Sequence, residues 1–164
     1  MNTKKLILSC FGVGFLPVAP GTWASLLTLL IFLVIHYFYP VPVISGSAIV
    51  IIMIVSSVLC LRFAGEAEKQ YDVKDPGWIV IDEVAGQAMA LLPAAITSQK
   101  VLVSAVGAFV LFRILDILKP PPIREIQHLS GGLGVLIDDL VAGIMAGTVL
   151  CIITFLVALV QLSD

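Results

Sequence analysis

Five long apolar stretches, at residues 23–39, 43–61, 78–96, 101–118 and 136–162, constrain this chain more than any other feature. A helix rises 1.5 Å per residue and needs about 20 apolar residues to cross a bilayer. Inside lipid the backbone must satisfy its own hydrogen bonds, which a helix does within one segment. The first stretch is short but extends through Tyr37 and Tyr39, residues suited to the headgroup belt. Pro40 and Pro42 break the chain after it, and residues 97–100 make the turn between the third and fourth. Composition agrees: 60% of residues are hydrophobic, 12% are charged, and mean hydropathy is +1.13. About a quarter of an ordinary soluble sequence is charged, so soluble and disordered classes are excluded. The expected fold is all-α, a polytopic membrane protein of about five embedded helices plus an interfacial helix, with residues 1–164 forming one domain.

The interfacial helix is expected within residues 62–77, a mixed-charge segment ending at Asp75-Pro76-Gly77. A second polar segment, residues 119–135, opens with Pro120-Pro121-Pro122 and carries Gly131-Gly132-Leu133-Gly134. At the amino end too few apolar residues separate Lys5 from Cys10 for the roughly 7–15 of a signal peptide, so that segment is expected to be retained. With five spans, Lys4, Lys5, Arg62, Lys69, Lys74, Lys119 and Arg124 fall on one side and Lys100 on the other. Positive charge favours the cytoplasm, which puts the amino end inside and the carboxyl end outside. Net charge is −2 without a basic run, which argues against nucleic acid as a partner. Cys10, Cys60 and Cys151 form no C-x-x-C pair and read as small apolar packers.

Six charged residues interrupt the apolar pattern: Asp82 and Glu83, Arg113 and Asp116, Asp138 and Asp139. Each such charge costs at least about 2.5–3.5 kcal/mol on insertion scales, so it must face the bundle interior, find a partner or bind an ion. The third and fifth spans enter from the cytoplasm and the fourth ends there, which brings all six within one or two helical turns of one face. Glu83, Gly86, Gln87 and Ala90 form a largely small-residue stripe, as do Ala142, Gly143, Ala146 and Gly147 below Asp139. Packing these stripes together would bring Asp82 or Glu83 towards Asp138 or Asp139. Clustered carboxylates repel unless neutralised. Arg113, Lys119 and Arg124 supply part of that charge, and a hard divalent cation, Mg²⁺ rather than zinc, suits oxygen-only ligation. The competing reading is a salt-bridge network that only fixes helix packing.

Residues 12–25 are rich in glycine and proline and open the first span. The free amides of a helix start attract anions, and Thr22 either caps that helix or meets a phosphate oxygen beside Gly21. Gly131 and Gly132 make either a second phosphate-approach loop or a tight turn. Arg124 either grips a phosphate as a fork or anchors to lipid. His36 reads as an interface residue near the outer end, and His128 as either an acid–base group or a solvated loop histidine.

Three blocks carry a family resemblance: residues 14–26 around Pro20-Gly21-Thr22; Ile79-Val80-Ile81-Asp82-Glu83-Val84-Ala85-Gly86-Gln87; and residues 112–124 running into Gly131-Gly132-Leu133-Gly134-Val135-Leu136-Ile137-Asp138-Asp139-Leu140-Val141-Ala142-Gly143. Through them the chain resembles the phosphatidylglycerophosphatase A family. It departs from the family's frequent pattern at Ala24-Ser25 and at Gly77, which cautions against a catalytic hydroxyl at those positions. The resemblance implies a lipid phosphatase of phospholipid synthesis in the bacterial inner membrane, facing the cytoplasm. It would use Mg²⁺ to hydrolyse phosphatidylglycerophosphate to phosphatidylglycerol and phosphate. Asp82, Glu83, Asp116, Asp138 and Asp139 are then candidate metal ligands. Asp82, Asp138, Arg113 and Lys119 are candidate catalytic groups, and Gly21, Thr22, Arg124, Gly131 and Gly132 candidate substrate contacts. Attack by water and attack by an aspartate both remain open. The main rival is an ion-coupled transporter, which would require polar residues continuing towards the outer face. A CDP-alcohol phosphotransferase or a histidine-dependent lipid phosphatase would need motifs this sequence lacks.

Overall fold

The computed structural model describes residues 2–96, 100–121, 123 and 131–163. Its helices are α1 (Thr3–Leu8), α2 (Pro20–Phe38), α3 (Pro42–Tyr71), α4 (Ile81–Ile96), α5 (Val101–Leu118) and α6 (Gly132–Ser163), with a single 3-10 turn at Val13–Phe15. No strand occurs among the described residues.

The helix ends follow local chemistry. Pro20 and Pro42 each sit in the first turn of their helices, where a missing N–H costs nothing. Tyr39 precedes Pro40, whose ring disfavours continuing α2. Lys119 adopts a left-handed conformation (φ 43°) after α5 and donates its amide to Leu115 before the prolines begin.

Among the described residues, four helices, α2, α3, α5 and α6, are long and apolar enough to cross a membrane. The separate interfacial helix expected over residues 62–77 is instead the continuation of α3, which runs unbroken to Tyr71. Nothing between Leu61 and Tyr71 stops a helix: the segment is mainly Arg, Ala, Glu, Lys and Gln, all good helix formers, and its one glycine is tolerated. The third apolar stretch also differs. Its helix begins at Ile81 rather than Trp78 and is 16 residues long, about 24 Å at the usual rise.

This short helix is the axis of the fold. It packs against α2, α3, α5 and α6 and buries Ala85, Ala88, Ala90, Leu91, Ala94 and Ala95. It meets α6 through the two stripes of small residues. A Cβ added at Gly143 would lie 2.3 Å from the Gly86 carbonyl oxygen, and one at Gly86 would lie 2.6 Å from the Asp139 carbonyl oxygen. Backbone meets backbone there, a crossing that only glycine permits. Phe32, Ile49, Leu91 and Phe112 fill the apolar middle of the bundle. Leu8, Cys60, Ile79, Val80, Val135 and Leu136 form a second core, which roofs the end where α4 and α6 begin.

Candidate active site

The first turn of α4 and the second turn of α6 meet at that end. Asp82, Glu83 and Asp139 each offer a carboxylate oxygen within 4.8 Å of the others'. Asp82 and Asp139 are buried and Glu83 is half-buried. The Gly86–Gly143 crossing sets this distance, because it brings the helix carrying Asp139 against the helix carrying the other two.

Adjacent residues on α6 serve different partners. Asp138 points to Lys119, whose Nζ donates to Oδ2 at 2.6 Å. On α5 the Arg113 guanidinium meets Asp116 at 2.8 Å and also donates to the Ser25 hydroxyl at 3.4 Å. Ser25 in turn donates to the Gly21 carbonyl at 2.9 Å. Arg113 is thereby fixed from α2 as well as from its own helix. Of the five carboxylates expected as metal ligands, Asp82, Glu83 and Asp139 converge with one another, Asp138 holds Lys119, and Asp116 holds Arg113 while also lying against Asp139.

The amino end of α2 reaches this group through Gly21. A Cβ there would lie 2.0 Å from Glu83 Oε1, so the Glu83 carboxylate rests directly on the glycine. A carboxylate at a helix start is favoured by the dipole and the free amides. This anion is the protein's own. Thr22, half-buried, donates its amide to Ala19.

Several buried polar atoms have no partner: Asp82 Oδ1, Glu83 Oε2, Asp138 Oδ1, Arg113 Nε and both amide atoms of Gln87. Leaving such a group unsatisfied costs about 1–3 kcal/mol. They concentrate at one end of α4.

Two groups outside the helices sense the same field. Burial pulls the Lys119 ammonium down, but its hydrogen bond to Asp138 and the charges of Asp138, Asp139 and Asp116 outweigh that and hold its pKa above the ordinary lysine value. Asp75, in the turn between α3 and α4, is pushed up by desolvation of its carboxyl and then by Asp138. That turn is tied down when Glu68 accepts the Asp75 amide at 2.9 Å. Beside it lies a cleft of about 680 Å³ lined by Arg62, Gly65, Glu68, Lys69, Lys74 and Gly131, among others.

Gly131 has a positive φ of 79°, and Gly132 packs against the backbone carbonyls of Cys60 and Leu61 on α3. Arg124 and His128 lie outside the described residues. Three features were not assigned a role from sequence. Gln87 stood in a quoted motif as a polar residue in an apolar span, a signal in itself. Ser25 gave no signal for its bond to Arg113. Lys5 counted only as a loop charge, yet its ammonium lies 5.0–5.2 Å from the ring centres of Phe15, Tyr71 and Trp78. This cation–π box joins four separate segments just ahead of Asp82.

The described helices suited to a membrane carry buried carboxylates beside two pinned cations, and the comparisons with known proteins identify the chain as a lipid phosphatase. The sequence profile described as phosphatidylglycerophosphatase A matches residues 6–154. The chain belongs to the phosphatidylglycerophosphatase A family. It is 33% identical over 150 residues to Phosphatidylglycerophosphatase A of Escherichia coli strain K12, covering 91% of this chain and 82% of that protein. It is 34% identical over 154 residues to Phosphatidylglycerophosphatase A of Haemophilus influenzae, covering 89% and 85%. A Bacteroides thetaiotaomicron protein, provisionally described as a phosphatidylinositol-3-phosphatase, is 33% identical over 141 residues, covering 85% and 86%. No solved structure matches the chain significantly.

Proposed function

We propose that this protein hydrolyses the phosphomonoester of phosphatidylglycerophosphate to phosphatidylglycerol and phosphate, with Mg²⁺, at the cytoplasmic face of a bacterial inner membrane. The observation that carries this reading is the convergence of Asp82, Glu83 and Asp139 beside Arg113 and Lys119, in a chain that matches the family from residue 6 to residue 154.

The donor set suits the metal. Three carboxylates with no neutral nitrogen or sulfur among them favour a hard divalent cation, and Asp82 Oδ1 and Glu83 Oε2 have lone pairs that no protein group uses. Asp82, Glu83 and Asp139 would hold it. When bound, Mg²⁺ supplies Lewis-acid polarisation of a phosphoryl oxygen and a lowered pKa for coordinated water.

The remaining work falls to the chain's own cations. Arg113 is held by Asp116 and Ser25 with Nε unspent, so a donor is already aimed when negative charge shifts among the phosphoryl oxygens. Lys119, held by Asp138 at the end of α5, adds a second fixed positive charge. Neither needs to reorganise during the reaction, which is where electrostatic catalysis gains over water. The excess of Lys and Arg on this end supports the cytoplasmic orientation. A transport path would need buried polar groups further along the bundle. Those of α4 stop at Gln87, beyond which Ala88, Ala90, Leu91, Ala94 and Ala95 pack closed, and the buried polar residues towards the far end, Ser45 and Ser104, carry only hydroxyls.

The test is phosphate release by the purified, reconstituted protein, with Mg²⁺ and with chelator, from phosphatidylglycerophosphate, phosphatidylinositol 3-phosphate and phosphatidic acid in parallel. Mg²⁺-dependent release, fastest from phosphatidylglycerophosphate, is expected. A folded protein that leaves phosphatidylglycerophosphate intact, or acts equally well in chelator, would sink the proposal.

A further inference from the structure

Residues 11–18, between α1 and α2, present an apolar surface that none of the described residues covers. Phe11 is 83% exposed and Val18 71%, with Phe15 and Leu16 also exposed between them. This is an irregular segment, the kind normally barred from lipid because its peptide groups would go unsatisfied. Here the amides as far as Leu16 are satisfied. Every amide from Ser9 through Leu16 donates to a backbone carbonyl within the segment or to the turn of α1 before it, and Gly12 also reaches the Ser9 hydroxyl. Pro17 has no amide to satisfy.

The loop is braced from behind. Val80 donates its amide to Leu8, and the Cys10 thiol reaches the Val80 carbonyl. Gly14 lies so close to the Trp78 carbonyl that a Cβ would fall 2.0 Å from its oxygen. The Phe15 ring packs on Trp78 at 6.1 Å. The apolar surface then continues without a break along Trp23, Leu27, Leu30, Ile31 and Val34, the exposed side of α2, which is one of the candidate membrane spans.

We propose that residues 11–18 are a lipid-embedded wedge. Outward apolar side chains on a segment whose amides are bonded as far as Leu16, continuous with a lipid-facing helix, fit the boundary between phospholipid headgroups and acyl chains, where the remaining carbonyls can reach water. The wedge leads directly into Gly21, on which Glu83 rests, so a phospholipid beside it stands with its headgroup near the carboxylate group. This second part rests on the phosphatase reading; the embedding does not.

Depth can be measured without activity. In the full chain carrying Cys10→Ala and Cys151→Ser, Phe11→Cys and Val18→Cys would each be labelled with an environment-sensitive fluorophore. The protein is then reconstituted in phosphatidylethanolamine–phosphatidylglycerol vesicles with phospholipid spin-labelled near the glycerol end. Val73→Cys, in the exposed turn after α3, is the aqueous reference. Blue-shifted emission at 11 and 18, quenched by the spin-labelled lipid, with neither effect at 73, is expected. Water-like emission at 11 and 18 overturns the proposal. So does blue-shifted emission that lipid does not quench, which would report contact with a second copy. Val18→Asp should raise KM for vesicle-borne substrate about fivefold while kcat stays within about twofold, and Val18→Ser should fall between. An unchanged KM with embedding intact would overturn the link to the site, and loss of phosphatase activity in the parent protein would strike the function alone.

Discussion

Asp138 and Asp139 are chain neighbours on one helix turn and equally buried, yet they belong to two regions that handle charge in opposite ways. Asp139 enters a group of three carboxylates. Asp138 enters a pair, closed by Lys119 at 2.6 Å, and the Asp116–Arg113 pair beside it is closed in the same manner. Each pair fixes a cation, with Asp138 Oδ1 and Arg113 Nε left over. The trio is unfinished: like charges at this range stay together only if something outside the chain neutralises them or protons do. On the proposed function one region positions and the other binds, a distinction that four substitutions can probe.

The largest effect should come from Asp139→Asn, which lowers phosphate release by about 10³-fold while the protein still folds. Asp138→Asn should cost distinctly less. Equal losses in steady-state assays of the two variants would erase the contrast between trio and pair. Next comes Lys119→Met, expected to lower kcat by about 10²-fold with little change in Mg²⁺ dependence, measured by titrating the metal against rate. A large shift in that titration would place Lys119 in the binding region instead. Gly21→Ala forces the Glu83 carboxylate off its seat, and should reduce activity by about tenfold and weaken the response to Mg²⁺. A wild-type metal titration for this variant would show that the resting place of Glu83 does not matter.

The smallest effect concerns pH. The Lys119 value is raised in the folded protein, so its stabilising contribution is complete below the ordinary lysine range, about 10.4, and fades only as pH climbs through the folded value above it. The difference in melting temperature between wild type and Lys119→Met should stay flat from about pH 6 to about pH 9. A difference that already shrinks within that window would mean that the ion pair is not what Lys119 contributes.

The apolar stretches, the six interrupting charges and the two glycine stripes were all legible in the sequence, because hydropathy and a 3.6-residue period are local properties. The continuation of α3 past Leu61 was harder to see. A change from apolar to charged composition looks like a boundary, yet the backbone registers only helix propensity, and residues 62–71 do not interrupt it. The choice between Asp138 and Asp139 was not legible at all. It depends on the rotational phase of α6 about its own axis, which the Gly86–Gly143 crossing sets. The Lys5 box was equally hidden, since Phe15, Tyr71 and Trp78 are brought together by the tertiary fold alone.

The arrangement of the carboxylate group also bears on how the protein is made. Its seat at Gly21 comes from the first long helix, Asp82 and Glu83 from the central one, and Asp139 from the last. Helices emerge from the ribosome in that order, so a nascent chain holds two of the three carboxylates for as long as α5 and α6 are still being synthesised. A chain cut short before Gly132 would lack Asp139, Asp138 and the partner of Gly86 together. The site is therefore its own completeness check, formed only once the final helix has docked.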